Sequence, residues 1–214
     1  MLSRLGLLLI TAVFAISGEI LDKLVITVGR QVITELQVDE EIRVTAFLNH
    51  ETVARTRGER REAADRLIQQ VLVLREMKLS HYPLPQPEAV EKYFEEVRAG
   101  FGNGNDFAKA LAKYEVKEAT LKEHLGQQLA TMQFVEYRFR PDMEVSEAEI
   151  EGYYRREIGQ RKANQAGPTV PTLEASRAAI REALIEERTN QILDNWLEEE
   201  RKQINIVYLD ASLQ

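Results

Sequence analysis

Two short apolar runs, Leu24-Val25-Ile26-Thr27-Val28 and Val32-Ile33-Thr34, stand either side of Gly29-Arg30 near the start of the chain. Short β-branched runs around a two-residue Gly-X turn predict a tight β-hairpin. Past Thr34 the apolar spacing changes to three and four, the period of a helix. Thr34 with Gln37 forms a capping box, and Leu36, Ile42, Val44 and Phe47 mark a helix to about His50. After a polar loop, His50 to Gly58, the run from Glu59 to about Leu79 carries Leu67, Ile68, Val71, Leu72 and Leu74. It is apolar on most sides, which predicts the central helix of a bundle.

Pro83, Pro85 and Pro87 end that helix, and Glu88-Ala89 open a shorter one with Val90, Tyr93, Phe94 and Val97. Gly100 to Asp106 reads as a loop, with Asp106 expected to cap a short helix from Phe107 to Tyr114. Lys117 to about Arg138 shows a stripe of Leu121, Leu125, Leu129, Met132 and Val135, and Pro141 stops it. Ser146 and Glu149 form a second capping box before Ile150, Tyr153 and Tyr154. Residues 160 to 171 are polar, hold Gly167, Pro168 and Pro171, and read as a linker. Thr172 then caps a long helix to Gln203 with Ile180, Leu184, Ile192 and Trp196, followed by a strand, Ile204 to Leu209. A lone hairpin is marginal in water, so the late strand is its expected third member. The predicted fold is mainly α, with a small antiparallel sheet built from the N-terminal hairpin and the C-terminal strand. A helical lobe is expected over about 87–140.

The N-terminus adds a compartment. Met1-Leu2-Ser3-Arg4 is a short positive segment, Leu5 to Ile16 is uncharged and apolar, and Ala15 and Ser17 are small residues placed for a cut before Gly18. That is the pattern of a cleavable secretory signal over residues 1–17, leaving 18–214 as the mature chain. Export to the periplasm without stable membrane insertion is the expectation. The 214 residues carry a net charge of −7, with no basic cluster, which argues against nucleic acid as a partner. Zero cysteines exclude disulfides and thiolate chemistry.

Candidate chemistry is sparse. His50, His81 and His124 are the only histidines, no two share a ligand spacing on one helix, and all three read as surface or loop residues. The carboxylates of Glu186-Glu187 and Glu198-Glu199-Glu200 lie beside Arg188, Arg201 and Lys202, as on solvated helix faces. No Gly-x-Ser-x-Gly elbow occurs. The glycines at 100, 102 and 104 follow a helix instead of a strand, the wrong setting for a phosphate cradle. No catalytic residue, metal site or cofactor is expected.

Asp22-Lys23 leading into Val25-Ile26-Thr27-Val28, the turn, and Val32-Ile33-Thr34 resemble the N-terminal region of SurA-type periplasmic chaperones, shared with exported parvulin-type prolyl isomerases. Val145-Ser146-Glu147-Ala148-Glu149-Ile150-Glu151-Gly152-Tyr153-Tyr154 resembles the family's helix before the isomerase domain, and Ile204 to Leu209 its returning C-terminal element. The resemblance implies a chaperone fold. It also implies an ATP-independent holdase for unfolded or nascent envelope polypeptides, with outer-membrane proteins as expected clients. One departure is large: only Gly159 to Pro171 stands where a parvulin domain of about a hundred residues would sit. No enzyme activity is therefore expected. An assembly factor with one dedicated protein partner is the alternative reading.

A holdase needs apolar surface off the core stripe. Phe134 falls about 200° from Met132 at the helical period, with Tyr137 on its side. Phe101 and Phe107 flank the glycine loop. These four are the expected client-binding residues.

Overall fold

The computed structural model describes residues 22–164 and 171–214. The expected signal segment and half of the expected linker, residues 165–170, lie outside them. Strands β1 (Leu24–Val28) and β2 (Gln31–Thr34) form the hairpin, with Gly29 at φ 58°. Helices follow: α1 (Glu35–Asn49), α2 (Arg57–Leu79), α3 (Pro87–Ala99), α4 (Gly104–Tyr114), α5 (Glu118–Arg138), α6 (Glu147–Asn164) and α7 (Leu173–Gln203). Strand β3 (Ile206–Tyr208) then closes a sheet of order β2-β1-β3, antiparallel throughout. The expected fold class is what the structure has.

The register explains the faces of the sheet. Thr27 lies between Val32 and Val207 on the outer face, while Ile26 lies between Ile33 and Tyr208 toward the interior. The ends of the fold are tied further. Leu209 N–H donates to Val25 O at 2.8 Å, Lys23 Nζ reaches Asp210 at 3.2 Å, and Arg57 donates to Ser212 O at 3.3 Å. Asp210 accepts backbone and side-chain hydrogen bonds from Ser212 and faces Lys23, which hold its carboxyl at about 2.

Two apolar cores divide the molecule. The first joins the sheet, α2, the end of α5 and α7, around Val25, Ile26, Ile68, Leu72, Met77, Phe134 and Leu197. The second is the lobe core, where Phe94, Phe107, Tyr114, Leu121 and Leu125 pack on Val44 and Phe47 of α1. A small third core, Ile150 with Ile180 and Leu184, pairs α6 with α7.

Several boundaries and faces differ from expectation. α2 begins at Arg57 because Thr56 and Glu59 form their own capping box. α4 begins at Gly104, capped by the Asn103 side chain, which accepts from the N–H groups of Asn105 and Asp106; Asp106 is not the cap. α6 continues to Asn164, so residues 160–164 are helix instead of linker. Leu36 points outward.

The largest correction concerns α5. Leu121 and Leu125 face the lobe core, whereas Phe134 faces the sheet core. Nine residues at 100° each separate Leu125 from Phe134, a half-turn about the helix axis. The buried face therefore changes side midway, because the partners of α5 lie on opposite sides of it. Met132, placed on the stripe, is 59% exposed, and Phe134, placed off it, is fully buried.

Two outcomes follow from these contacts. Phe134 touches Trp196 (ring centroids 4.8 Å) and Phe139 (5.4 Å), so Phe134→Ala is expected to cost about 3–5 kcal/mol in a urea melt. A loss below about 1 kcal/mol would contradict a core role. Removing residues 204–214 strips β1 of one of its two neighbours. Hydrogen exchange at the β1 amides should then accelerate strongly, and unchanged protection would refute the stabilising role of β3.

Candidate functional site

The capping box that opens α1 sets the phase of that helix, and with it the direction of Glu41. Glu41 is 4% exposed and lies where α1 crosses both α2 and α5. Three side chains converge on its carboxylate. Arg66 Nε on α2 donates to Oε1 at 2.7 Å, Thr45 Oγ1 donates to the same oxygen at 3.3 Å, and His124 Nδ1 on α5 lies 3.0 Å from Oε2. His124, 7% exposed, is therefore not the surface histidine its sequence context suggests.

The chain of hydrogen bonds continues outward. Gln128 Nε2 lies 3.1 Å from His124 Nε2, and Tyr93 on α3 donates its hydroxyl to Gln128 Oε1 at 3.3 Å. An ionised carboxylate only accepts, and an amide nitrogen only donates. His124 in this arrangement is thus the neutral Nδ1–H tautomer, donating to Glu41 and accepting from Gln128. Burial alone would raise the pKa of Glu41. The hydrogen bonds donated by His124 and Arg66, with the positive charge beside the carboxylate, outweigh it and hold the carboxyl below its ordinary 4.5.

Above this cluster opens a groove of about 490 Å³. Its apolar lining is Leu48, Val73, Met132, Leu193 and Leu197, from α1, α2, α5 and α7, with Met132 at the exposed edge. Its rim is amide and hydroxyl: Gln69, Gln70, Gln127, Gln128, Asn49 and Thr131. Glu41, Arg66 and His124 form its polar end. Such a volume is ordinary for a ligand cleft. An apolar lining attracts side chains without demanding a particular one, and amide rims match the donors and acceptors of an extended backbone.

The four residues expected to bind clients do not form one surface. Phe107 is buried in the lobe core, edge-on to Phe47 and Phe94. Phe101 is half-buried and stacks on Phe47 at 4.8 Å. Phe134 is buried at the far end of α5, so the reason for choosing it, a position off the core, is overturned. Tyr137 is 49% exposed and stacks on Tyr82 at 6.0 Å. None of the four lines the groove. Trp196 packs between α7 and α5 as a core anchor. The groove residues were missed because their signal is weak in one dimension: two glutamine pairs, 69–70 and 127–128, on helices that meet only in the fold.

Among the described residues no cluster of three or more acidic, histidine or cysteine side chains is placed to hold a metal. No described helix is long and apolar enough to cross a membrane. In comparisons with known proteins, no family model matches the chain, and no curated protein matches it either.

Glu41→Gln should cost about 1–3 kcal/mol at neutral pH, because the amide keeps one acceptor oxygen but loses the charge and sets an N–H donor in place of the other oxygen, against Arg66 or His124. The pH dependence has a definite sign. A carboxyl held below its ordinary value contributes stability above pH 4.5, and that contribution drains away as pH falls through the lowered folded value. The acid limb of the stability curve should therefore be shallower in Glu41→Gln. Identical limbs in the two proteins would refute this account of the site.

Proposed function

We propose that this chain is an ATP-independent periplasmic chaperone, a holdase for unfolded polypeptides, built on a SurA-like scaffold without the isomerase domain. The observation that carries the reading is the groove: lined by apolar and amide side chains, with its charges gathered at one end, and open to solvent. A holdase must bind many sequences weakly and release them quickly, and such a lining recognises a polypeptide backbone more than its side chains. The returning β3 strand, paired to the N-terminal hairpin, adds support, as do the segments around Val25 and Tyr153 that resemble the family. α6 ends at Asn164 and α7 begins at Leu173, too close for a parvulin insert of about a hundred residues. Placement in the periplasm rests on the sequence pattern of residues 1–17. Unfolded outer-membrane proteins are the proposed clients, with no nucleotide or metal taking part in their release.

The test is light scattering of a urea-denatured outer-membrane porin diluted into buffer with and without the mature chain. Suppressed aggregation is expected, with no acceleration of proline isomerisation in a short peptide. Met132→Glu places a charge on the groove at an exposed position, so it should leave stability within about 0.5 kcal/mol and weaken suppression. No suppression at several-fold molar excess would sink the holdase reading and favour a single dedicated partner.

A further inference from the structure

We propose that His124 is a proton-operated switch of the groove, setting how strongly it holds an extended polypeptide by reversing the hydrogen-bond chain His124–Gln128–Tyr93. The inference rests on the groove being the client site, and it names what regulates that site.

In the neutral state each donor in the chain points inward. The Tyr93 hydroxyl is spent on Gln128 Oε1, the Gln128 amide N–H on His124 Nε2, and the His124 Nδ1–H on Glu41 Oε2. A proton arriving at Nε2 turns that atom from acceptor to donor. Gln128 Nε2 can no longer face it, since two donors would then meet. Turning the amide over brings Oε1 to the new Nε2–H and the amide nitrogen to the Tyr93 oxygen. Tyr93 now accepts, and its hydroxyl proton is released from internal duty. Tyr93 and Gln128 both line the groove, so the freed proton is available to a backbone carbonyl of a bound polypeptide. No bond is made or broken beyond the single proton transfer from water.

Glu41 meets His124 directly from α1, with Glu40 on the rim of the neighbouring pocket; Arg66 comes from α2 by way of Glu41, and Tyr93 from α3. Glu123 on its own helix borders the opposite side, and α7 offers only Leu193 and Leu197. Protonation therefore adds a positive charge beside the Glu41 carboxylate, which Arg66 also contacts. The Nδ1–H bond to Glu41 is kept in both states, which confines the change to the Nε2 side and hence to the groove wall.

Gaining one donor to the client should tighten binding about three- to tenfold as pH falls from about 8 to about 5, the range in which imidazoles take up a proton. The probe is a short rhodamine-labelled peptide of Leu, Ser and Gln, whose side chains carry no charge, followed by fluorescence anisotropy. The full mature chain should show the increase. Tyr93→Phe, which removes the released hydroxyl and leaves the Glu41 contacts alone, should bind with the same affinity at pH 5 as at pH 8, whatever that affinity is. His124→Asn, which keeps an amide donor toward Glu41, should be equally flat. Should that variant fold poorly, Tyr93→Phe decides the matter. Long-range 1H–15N spectra should show His124 as the Nδ1–H tautomer at pH 8 and doubly protonated at pH 5.

Binding that is equal at the two pH values, or a pH response that survives in Tyr93→Phe, would overturn the switch while leaving the holdase reading intact. Peptide binding absent at both pH values, together with unsuppressed porin aggregation, would remove the groove reading and the switch with it.

Discussion

Strand β1 has a neighbour on each side, and they come from opposite ends of the fold. β2 arrives after a two-residue turn, while β3 arrives after all seven described helices. Three strands with one buried face are the least that a sheet of this kind can manage. The pairing of Ile26, Thr27 and Val28 with Tyr208, Val207 and Ile206 therefore fixes where α7 must end. With that end fixed, Arg201 on Asp65 and Arg75 on Glu200 hold α7 along α2, and Trp196 can reach Phe134. The helical body is arranged around a sheet of only a dozen residues because that sheet is where the ends of the fold meet.

The second constraint is the crossing at Glu41. The sheet core and the lobe core are separate apolar clusters, and α1 runs between them. A buried ion pair recovers little net free energy compared with apolar packing. What Glu41 supplies is direction, since its two oxygens can satisfy Arg66 of α2 and His124 of α5 only at one relative placement of those helices. The groove is the space left beside that crossing. Its apolar lining comes from four helices, none of which could enclose it alone.

Local signals in the sequence were legible wherever one stretch of chain decides the outcome. The hairpin around Gly29, the capping boxes at Thr34 and Ser146, and the helix stops at Pro83 and Pro141 all depend on neighbours within a few residues. What could not be read was anything set by partners on two sides. α5 presents Leu125 to one core and Phe134 to another, so the single stripe drawn through Met132 selected the wrong residues. His124 looked like a solvated histidine because Glu41, its partner, lies 83 positions away in sequence. The cap of α4 was misassigned for a smaller reason: Asn103 and Asp106 are both good caps, and the geometry of the preceding turn, with Gly102 at φ 84°, selects Asn103.

The closing strand also imposes an order of events in time. Every member of the lobe core lies between Val44 and Leu125, so that part can pack before the C-terminal strand arrives. β1 has no such freedom, for Ile206 follows Val28 by most of the chain's length. An interval therefore separates the making of the hairpin from the arrival of its third strand. Throughout it, the edge of β1 destined for β3 stays unpaired and open to wrong company. The first strand of the fold thus waits, one edge bare, for the last.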